Sequence, residues 1–246
     1  MNSSILIRQA YGDDTGALAL IYAYYVNQTA ITFEYTAPDA VEMERRRQEI
    51  SQHYPYLVAE LDGQVVGYAY AHAFYGREAY AWSVESSIYV DVNERKRGIG
   101  RKLYEALEEA LKSMGILNVN ACIAVPCDDP DPYVTYDSLN FHECLGYTLA
   151  GRFHNSGYKF DRWYDIVWME KMLGPHTIHP KFPAKKWGPY DESLLFPRTQ
   201  MRLPKRTAVV GQTAVIFNHS QFWHTAGFYK LSLSMIQELA KQNKLI

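Results

Sequence analysis

The residues of this sequence best suited to binding a charged ligand form one basic, glycine-containing turn, Arg95-Lys96-Arg97-Gly98-Ile99-Gly100-Arg101. Glycine lets the backbone approach a ligand closely and exposes its N–H groups. A helical apolar pattern follows the turn directly, and the start of a helix adds the positive end of its dipole to the charges of the arginines and lysines. This combination of groups predicts a binding site for a pyrophosphate.

Two common phosphate-binding patterns do not fit this turn. A Walker loop requires G-x-x-x-x-G-K-[ST], and Gly98 and Gly100 do not have that spacing. A dinucleotide-binding fingerprint requires a third glycine at the position that Leu103 occupies. It also requires a βαβ unit, which the sequence does not show after this turn. The pattern that remains is R-x-x-G-x-G.

A strand and a helix must position the turn. The run Ser86-Ser87-Ile88-Tyr89-Val90 is rich in β-branched and aromatic residues, and it predicts the second half of a strand that begins at Tyr80 and ends at Asp91. After the turn, apolar side chains recur at helical spacing and predict a helix from Arg101 to Met114. The turn therefore joins a strand to an amphipathic helix.

The rest of the first 173 residues predicts a mixed sheet with helices on its faces. Asp62-Gly63 indicates a type I′ turn between two strands of a hairpin. A first helix is expected after Asp13 and Asp14. The other predicted elements are strands at 5–8, 56–61, 64–74, 118–125, 147–160 and 163–172, and helices at 38–53 and 137–145. Their order is β-α-α-β-β-β-α-β-α-β-β.

Composition favours a packed protein in a reducing compartment. The chain has 246 residues, 48% of them apolar, which is enough for one large domain or a medium domain with an appendage. Three cysteines without paired spacing indicate neither a disulfide framework nor a metal site. No signal peptide and no stretch long enough to span a membrane are visible. We therefore expect a cytoplasmic protein that binds no membrane and no metal.

Charge divides the chain near Leu173. Residues 1–173 carry an excess of acidic side chains, and residues 174–246 carry an excess of basic ones. The basic part lacks a dense basic run, so nucleic-acid binding is not expected. Its prolines predict an extended linker, followed by a strand pair at 207–217 and a helix at 229–242. We therefore expect a domain at 1–173 and a C-terminal extension of unknown role at 174–246.

The basic turn is similar to the coenzyme A pyrophosphate loop of the GNAT N-acetyltransferases, and longer motifs extend this likeness. From Ile5 to about Leu173 the chain resembles the phosphinothricin and methionine-sulfone acetyltransferase branch of that family. The motifs that carry the resemblance are Tyr54-Pro55-Tyr56-Leu57-Val58-Ala59-Glu60, the run from Tyr80 to Val90, Phe141-His142-Glu143-x-Leu145-Gly146-Tyr147, and Gly157-Tyr158-Lys159-x-x-x-Trp163-Tyr164-Asp165.

The resemblance implies a fold and a cofactor. The fold would be α/β (α+β), with a mixed, mostly antiparallel sheet flanked by helices and followed by the C-terminal extension. Acetyl-CoA would be the co-substrate, held where the fourth and fifth strands splay apart. The residues expected to bind it are Arg95, Lys96, Arg97, Gly98, Ile99, Gly100 and Arg101 at the pyrophosphate, the backbone of Ile88, Tyr89 and Val90 at the pantetheine arm, and Ser138.

The resemblance also implies roles in catalysis. Glu85 would accept the proton of an acceptor amine, which does not attack while it is protonated. His142 would act as the acid, or hydrogen-bond donor, on the thiol side. Arg77 and Tyr80 would bind the acceptor, because a guanidinium pairs with the carboxylate of an amino acid through two parallel hydrogen bonds.

The acceptor and the assembly are less well defined. Thr135 stands where most of the branch has asparagine, and the segment 126–136 is longer than usual, so the identity of the acceptor stays open. A small amino acid or an analogue is the first hypothesis, and the resemblance implies a homodimer. A protein- or peptide-directed N-acetyltransferase and a non-catalytic acyl-CoA-binding module are the two alternatives.

Overall fold

The protein has a mixed α/β fold in which the predicted order of helices and strands is confirmed. A computed structural model describes residues 4–128 and 130–187. The strands are β1 (Leu6–Gln9), β2 (Tyr56–Leu61), β3 (Gln64–Ala73), β4 (Ser83–Val90), β5 (Asn118–Pro126), β6 (Thr148–Lys159) and β7 (Arg162–Met172). The helices are α1 (Thr15–Gln28), α2 (Ala40–Ser51), α3 (Ile99–Met114) and α4 (Asp137–Cys144).

One seven-stranded sheet runs in the order β1-β2-β3-β4-β5-β7-β6. Every neighbouring pair is antiparallel except β4 and β5, which are parallel. These two strands pair only at their beginnings, where Ser83, Val84 and Glu85 oppose 118–120. Beyond Glu85 they diverge and leave a cleft in the sheet. The splaying that the family resemblance implied is therefore confirmed.

The strand β4 begins later than predicted. Instead of extending from Tyr80, the chain forms a short 3₁₀ turn at Glu78–Tyr80, in which the N–H of Tyr80 donates to the carbonyl of Arg77 at 2.9 Å. The aromatic and β-branched composition of this stretch favours a strand, but the local turn hydrogen bonds take precedence. Arg77 and Tyr80 consequently lie in the loop that leads into β4.

The two faces of the sheet are covered by different helices. On one face, α3 buries Leu103, Leu107 and Leu111 against the inner strands, which matches the predicted helical spacing. On the other face, α1 and α2 enclose a second cluster in which Tyr22 packs beside three tyrosines of the sheet. Because successive side chains of a strand point to opposite faces, β4 presents alternate residues to α1 and to α3.

The first part of the C-terminal extension lies on the domain without forming a helix or strand. The N–H of Ala184 donates to the carbonyl of Met114 at 2.8 Å, and that of Trp187 donates to the carbonyl of His53 at 3.1 Å. The indole of Trp82 donates to the carbonyl of Lys181 at 2.9 Å. Residues 174–187 thus connect the ends of α3 and α2 with the start of β4.

The strand pair predicted at 207–217 and the helix predicted at 229–242 lie outside the described residues. Across residues 4–128 and 130–187, none of the helices combines the length and the apolar character needed to cross a membrane.

Candidate active site

The basic turn adopts a backbone conformation that opens the start of α3. Lys96 and Gly98 have positive φ angles of 64° and 80°. The helix begins at Ile99, two residues earlier than predicted. As at the start of any α-helix, the first N–H groups lack intrahelical carbonyl partners, and here they lie within the basic turn. The side chain of Ile99 is buried in the core, so this residue can offer only its backbone to a ligand.

The basic side chains of the turn differ in their partners. Arg95 donates to the hydroxyl of Tyr25 at 3.2 Å, and Arg97 forms an ion pair with Glu94. Within the described part of the chain, the exposed side chains of Lys96 and Arg101 have no hydrogen bond or ion pair. These two cations are therefore available to a ligand without breaking an existing contact.

Close packing joins the turn to the helix that carries His142. A Cβ atom added at Gly100 would lie 3.0 Å from the ring of Phe141, so only glycine fits at this position without displacement. Phe141 in turn packs against Tyr104 with ring centroids 5.7 Å apart. The start of α3 and the part of α4 that carries Phe141 and His142 are therefore packed directly against each other.

A cleft lies between the diverging parts of β4 and β5. Its walls come from both diverging strands, from α3 and α4, and from the loop after α1; the lining residues are Ile31, Ser86, Ser87, Ile88, Tyr89, Tyr104, Ala121, Cys122, Ile123, Ala124, Ser138 and His142. Of the residues expected at the cofactor, Ile88, Tyr89 and Ser138 thus line the cleft. Val90 is not among the lining residues, and its carbonyl accepts from the hydroxyl of Tyr25 at 2.6 Å.

Glu85 lies at the last paired position of β4, where the cleft begins. Its side chain is 24% exposed, and its carboxylate lies 3.8 Å from the Nε2 atom of His72, its partner on β3. Burial raises the pKa of the Glu85 carboxyl, and the nearby His72 opposes that rise. A partly exposed carboxylate with a raised pKa and few contacts is suited to accept a proton near neutral pH.

His142 is buried, with 3% of its surface exposed, and both ring nitrogens have partners. Nδ1 lies 2.7 Å from the carbonyl of Ser138, which requires a proton on Nδ1. Nε2 of the neutral ring therefore accepts from the hydroxyl of Tyr104, 2.9 Å away. Burial lowers the pKa of His142, and the Ser138 carbonyl opposes this shift.

Tyr104 is a site residue that the sequence analysis missed. Its hydroxyl joins His142 to Ser86, whose Oγ lies 3.2 Å away, and all three residues line the cleft. The signal that could have identified it is its position four residues after Gly100, on the same face of the helix. Burial raises the pKa of Tyr104, so the hydroxyl keeps its proton at neutral pH.

The two groups that could move protons lie on opposite faces of the sheet. Ser86 contacts Tyr104 of α3, whereas Tyr89 packs on Tyr22 of α1 with ring centroids 4.8 Å apart. By strand alternation Glu85 shares the face of Tyr89. The Tyr104–His142 pair thus lines the cleft on the α3 side, and Glu85 lies on the α1 side of the sheet, next to the lining residue Ser86 but not itself part of the lining.

Arg77 and Tyr80 are exposed and lie outside this arrangement. The ring of Tyr80 packs on Phe74 and Tyr75, with centroids 6.2 and 5.2 Å apart. Among the residues that the structure describes, no hydrogen bond or ion pair joins Arg77 or Tyr80 to Glu85. The same part of the chain holds no group of three or more histidine, cysteine, aspartate or glutamate side chains that could bind a metal.

Comparison with known proteins identifies the family. The acetyltransferase (GNAT) domain family matches residues 7–168. Phosphinothricin N-acetyltransferase of Streptomyces viridochromogenes is 33% identical over 72% of this chain and 93% of its own length. The L-methionine sulfoximine/L-methionine sulfone acetyltransferase of Pseudomonas aeruginosa is 30% identical over 72% of this chain and 99% of its own length.

The solved structures agree with this result. A phosphinothricin acetyltransferase from Sinorhizobium meliloti in complex with acetyl-CoA superimposes with a TM-score of 0.65 at 34% identity, over 78% of this chain and 98% of the other. The divergent strands, the basic turn and the family match all lead to one conclusion. The chain belongs to the GNAT acetyltransferase family.

Proposed function

We propose that this acetyltransferase moves the acetyl group of acetyl-CoA to the α-amine of a small amino acid, or of an analogue such as phosphinothricin, methionine sulfone or methionine sulfoximine. The observation that carries the proposal is Glu85 at the point where β4 and β5 diverge. The names of the relatives give the class of acceptor. The C–N bond forms as the C–S bond breaks, and one proton leaves the amine while one reaches the sulfur.

The residues of the turn and of β4 fit acetyl-CoA. Arg101, Lys96 and the free N–H groups at the start of α3 would hold the pyrophosphate, with Gly98 and Gly100 keeping the backbone accessible. Beyond Glu85 the edge of β4 that faces β5 has no partner strand in the described part of the chain, so its backbone can bind the pantetheine amides as an added strand would. Acetyl-CoA supplies the activated acyl group when it is bound.

The two proton-handling groups have separate tasks in this proposal. Glu85 accepts the proton of the amine, directly or through water, on the α1 side of the sheet. Tyr104, whose hydroxyl donates to Nε2 of His142 before the reaction, would turn that hydrogen bond to the departing sulfur on the α3 side. In this proposal His142 acts through Tyr104, and not directly on the sulfur as the family resemblance had implied.

The acceptor carboxylate would be bound by Arg77, with Tyr80 beside it. This assignment rests on the resemblance of their loop and on the exposed guanidinium of Arg77, which is free to form two hydrogen bonds with a carboxylate. A homodimer also belongs to the proposal, because the edge strand β6 exposes the large apolar side chains of Leu149 and Phe153. A cytoplasmic location and a domain boundary near residue 173 stay predictions.

Replacement of Gly100 by alanine is expected to weaken the binding of acetyl-CoA about tenfold, because a Cβ atom 3.0 Å from the Phe141 ring forces the turn or the ring to move. The dissociation constant of the full-length variant can be measured by calorimetry. Gly16→Ala on α1 is the matched control, since an added Cβ there meets nothing within 4 Å. Equal affinities for the two variants would contradict the role of Gly100.

The acceptor can be tested by measuring coenzyme A release from acetyl-CoA in the presence of methionine sulfone, methionine sulfoximine, phosphinothricin, common amino acids, polyamines and a short peptide. We expect release with the sulfone-type analogues or an amino acid. Release with the peptide alone would indicate a protein-directed enzyme instead. Saturable binding of acetyl-CoA without release on any amine would indicate a non-catalytic binding module.

A further inference from the structure

We propose that Lys159 of β6 is a positioning residue that fixes the loop between α1 and α2, residues 29–39, and thereby sets the acceptor side of the cleft. The proposal rests on the proposed function, because it assigns the wall contacted by the acceptor. It adds a residue distant from the basic turn, from Glu85 and from the Tyr104–His142 pair.

The first observation is the burial of the lysine. Lys159 is only 2% exposed, and its ammonium donates to the carbonyls of Thr29 and Thr32 at 2.9 and 2.7 Å. No carboxylate of the described residues lies within ion-pair distance of its Nζ atom. Burial lowers the pKa of the Lys159 ammonium, Glu34 opposes that shift from beyond ion-pair distance, and the two carbonyls supply the hydrogen bonds that a buried cation requires. The ammonium therefore holds the loop at two points three residues apart.

The two residues before Lys159 contact the same loop. A Cβ atom at Gly157 would lie 2.2–2.6 Å from three atoms of the Phe33 ring, so the ring lies directly on the backbone of β6. The hydroxyl of Tyr35 donates to the carbonyl of Tyr158 at 2.5 Å. Three consecutive residues of β6 thus hold the loop from Thr29 to Tyr35.

The held segment forms part of the cleft. Ile31 lies between the two carbonyls that Lys159 binds, and its side chain lines the cleft with Ser87. Thr32 bonds to the hydroxyl of Tyr22 at 2.8 Å, which fixes the loop to α1. Ile31 packs against the apolar cluster beneath α1, on the side of the sheet that Glu85 faces, so under the proposed function it would border the acceptor amine.

The cofactor contacts, by contrast, do not depend on this loop. The basic turn is carried by α3 and β4, and Gly100 packs on Phe141 of α4. Loss of the Lys159 contacts should therefore loosen the acceptor wall and leave the pyrophosphate site intact. This difference separates a positioning role from a general effect on stability.

The test uses the full-length protein with Lys159→Met. We expect hydrogen exchange at the amides of Ala30 and Ile31 to accelerate at least tenfold. The amide of Ile31 donates to the Thr29 hydroxyl within the held segment, and that of Ala30 joins the segment to the Tyr133 carbonyl. We also expect the KM of the acceptor to rise at least fivefold, with the Kd of acetyl-CoA changed less than twofold.

Two further variants make the result specific. Lys171→Met removes a lysine that is only partly buried and pairs with Glu108 of α3 at 2.7 Å, and it should leave loop exchange and acceptor KM unchanged. Tyr35→Phe removes only the bond to the Tyr158 carbonyl from a side chain that is 70% exposed, so the protein should fold. It should change loop exchange in the same direction and to a smaller extent.

Unchanged exchange at Ala30 and Ile31 in both Lys159→Met and Tyr35→Phe would overturn the proposal, whether or not the enzyme is active. A rise in the Kd of acetyl-CoA as large as the rise in acceptor KM would overturn it as well. Accelerated exchange in a protein whose wild type acetylates no amine would support the loop contacts and refute the proposed acceptor chemistry. The two failures are thus distinguishable.

Discussion

Glu85→Gln is expected to lower kcat by at least tenfold, and by up to about 10⁴-fold if the carboxylate takes the proton directly. Glutamine keeps the size and polarity of the side chain and removes its basicity. The Kd of acetyl-CoA should stay within twofold, since the pyrophosphate turn begins ten residues farther along the chain. Steady-state rates with a saturating acceptor, together with calorimetric binding of acetyl-CoA, measure both quantities.

The pH dependence of the wild-type enzyme provides a second test of Glu85. A general base works only when it is deprotonated, so kcat/KM should fall as the pH decreases through the pKa of Glu85. Burial raises that pKa and therefore moves the fall toward neutral pH. His72 opposes the shift, so His72→Gln should move the acidic limb to higher pH. An unchanged kcat in Glu85→Gln would remove Glu85 from the mechanism.

Tyr104→Phe is expected to lower kcat about 10- to 100-fold, because a hydrogen bond to a charged group is worth roughly 1.5–3 kcal/mol. The substitution removes one hydroxyl and keeps the ring that packs on Phe141 and His142. Ser113→Ala is a matched control on the same helix, since it removes a hydroxyl that bonds only to the carbonyl of Ala110. That control should keep the wild-type kcat.

A double-mutant cycle can show whether Tyr104 and His142 act as one unit. If His142 acts through Tyr104, then adding His142→Gln to Tyr104→Phe should cost little more than the larger single change. Independent roles would instead multiply the two losses. A wild-type kcat in Tyr104→Phe would show that Tyr104 does not act on the departing sulfur.

Much of the fold could be predicted because it depends on local patterns. The apolar spacing of Leu103, Leu107 and Leu111 determines which side of α3 faces the sheet. Asp62 and Gly63 both have positive φ angles, 51° and 84°, as the predicted hairpin turn requires. The predicted start of β4 was wrong because residue propensities do not show the hydrogen bonds of the single turn that precedes the strand.

The site was less predictable because its contacts join distant parts of the chain. The roles of Glu85 and of the basic turn were predicted from motifs in which the neighbouring residues provide the evidence. Tyr104 meets His142 across 38 residues, and Lys159 meets Thr29 across 130. No local pattern distinguishes a buried tyrosine that packs from one that also donates to a histidine, so these roles required the folded structure.

The contacts of residues 174–187 bear on how the protein could be shortened. The relatives from Streptomyces viridochromogenes and Pseudomonas aeruginosa match 72% of this chain, and the solved structure from Sinorhizobium meliloti matches 78% of it. A chain cut after Leu173 would leave the carbonyls of Met114 and His53 to water and uncover the indole of Trp82. A working minimal enzyme should therefore be cloned to Trp187, because residues 174–187 complete the packing of the enzyme at the ends of two helices and beside Trp82.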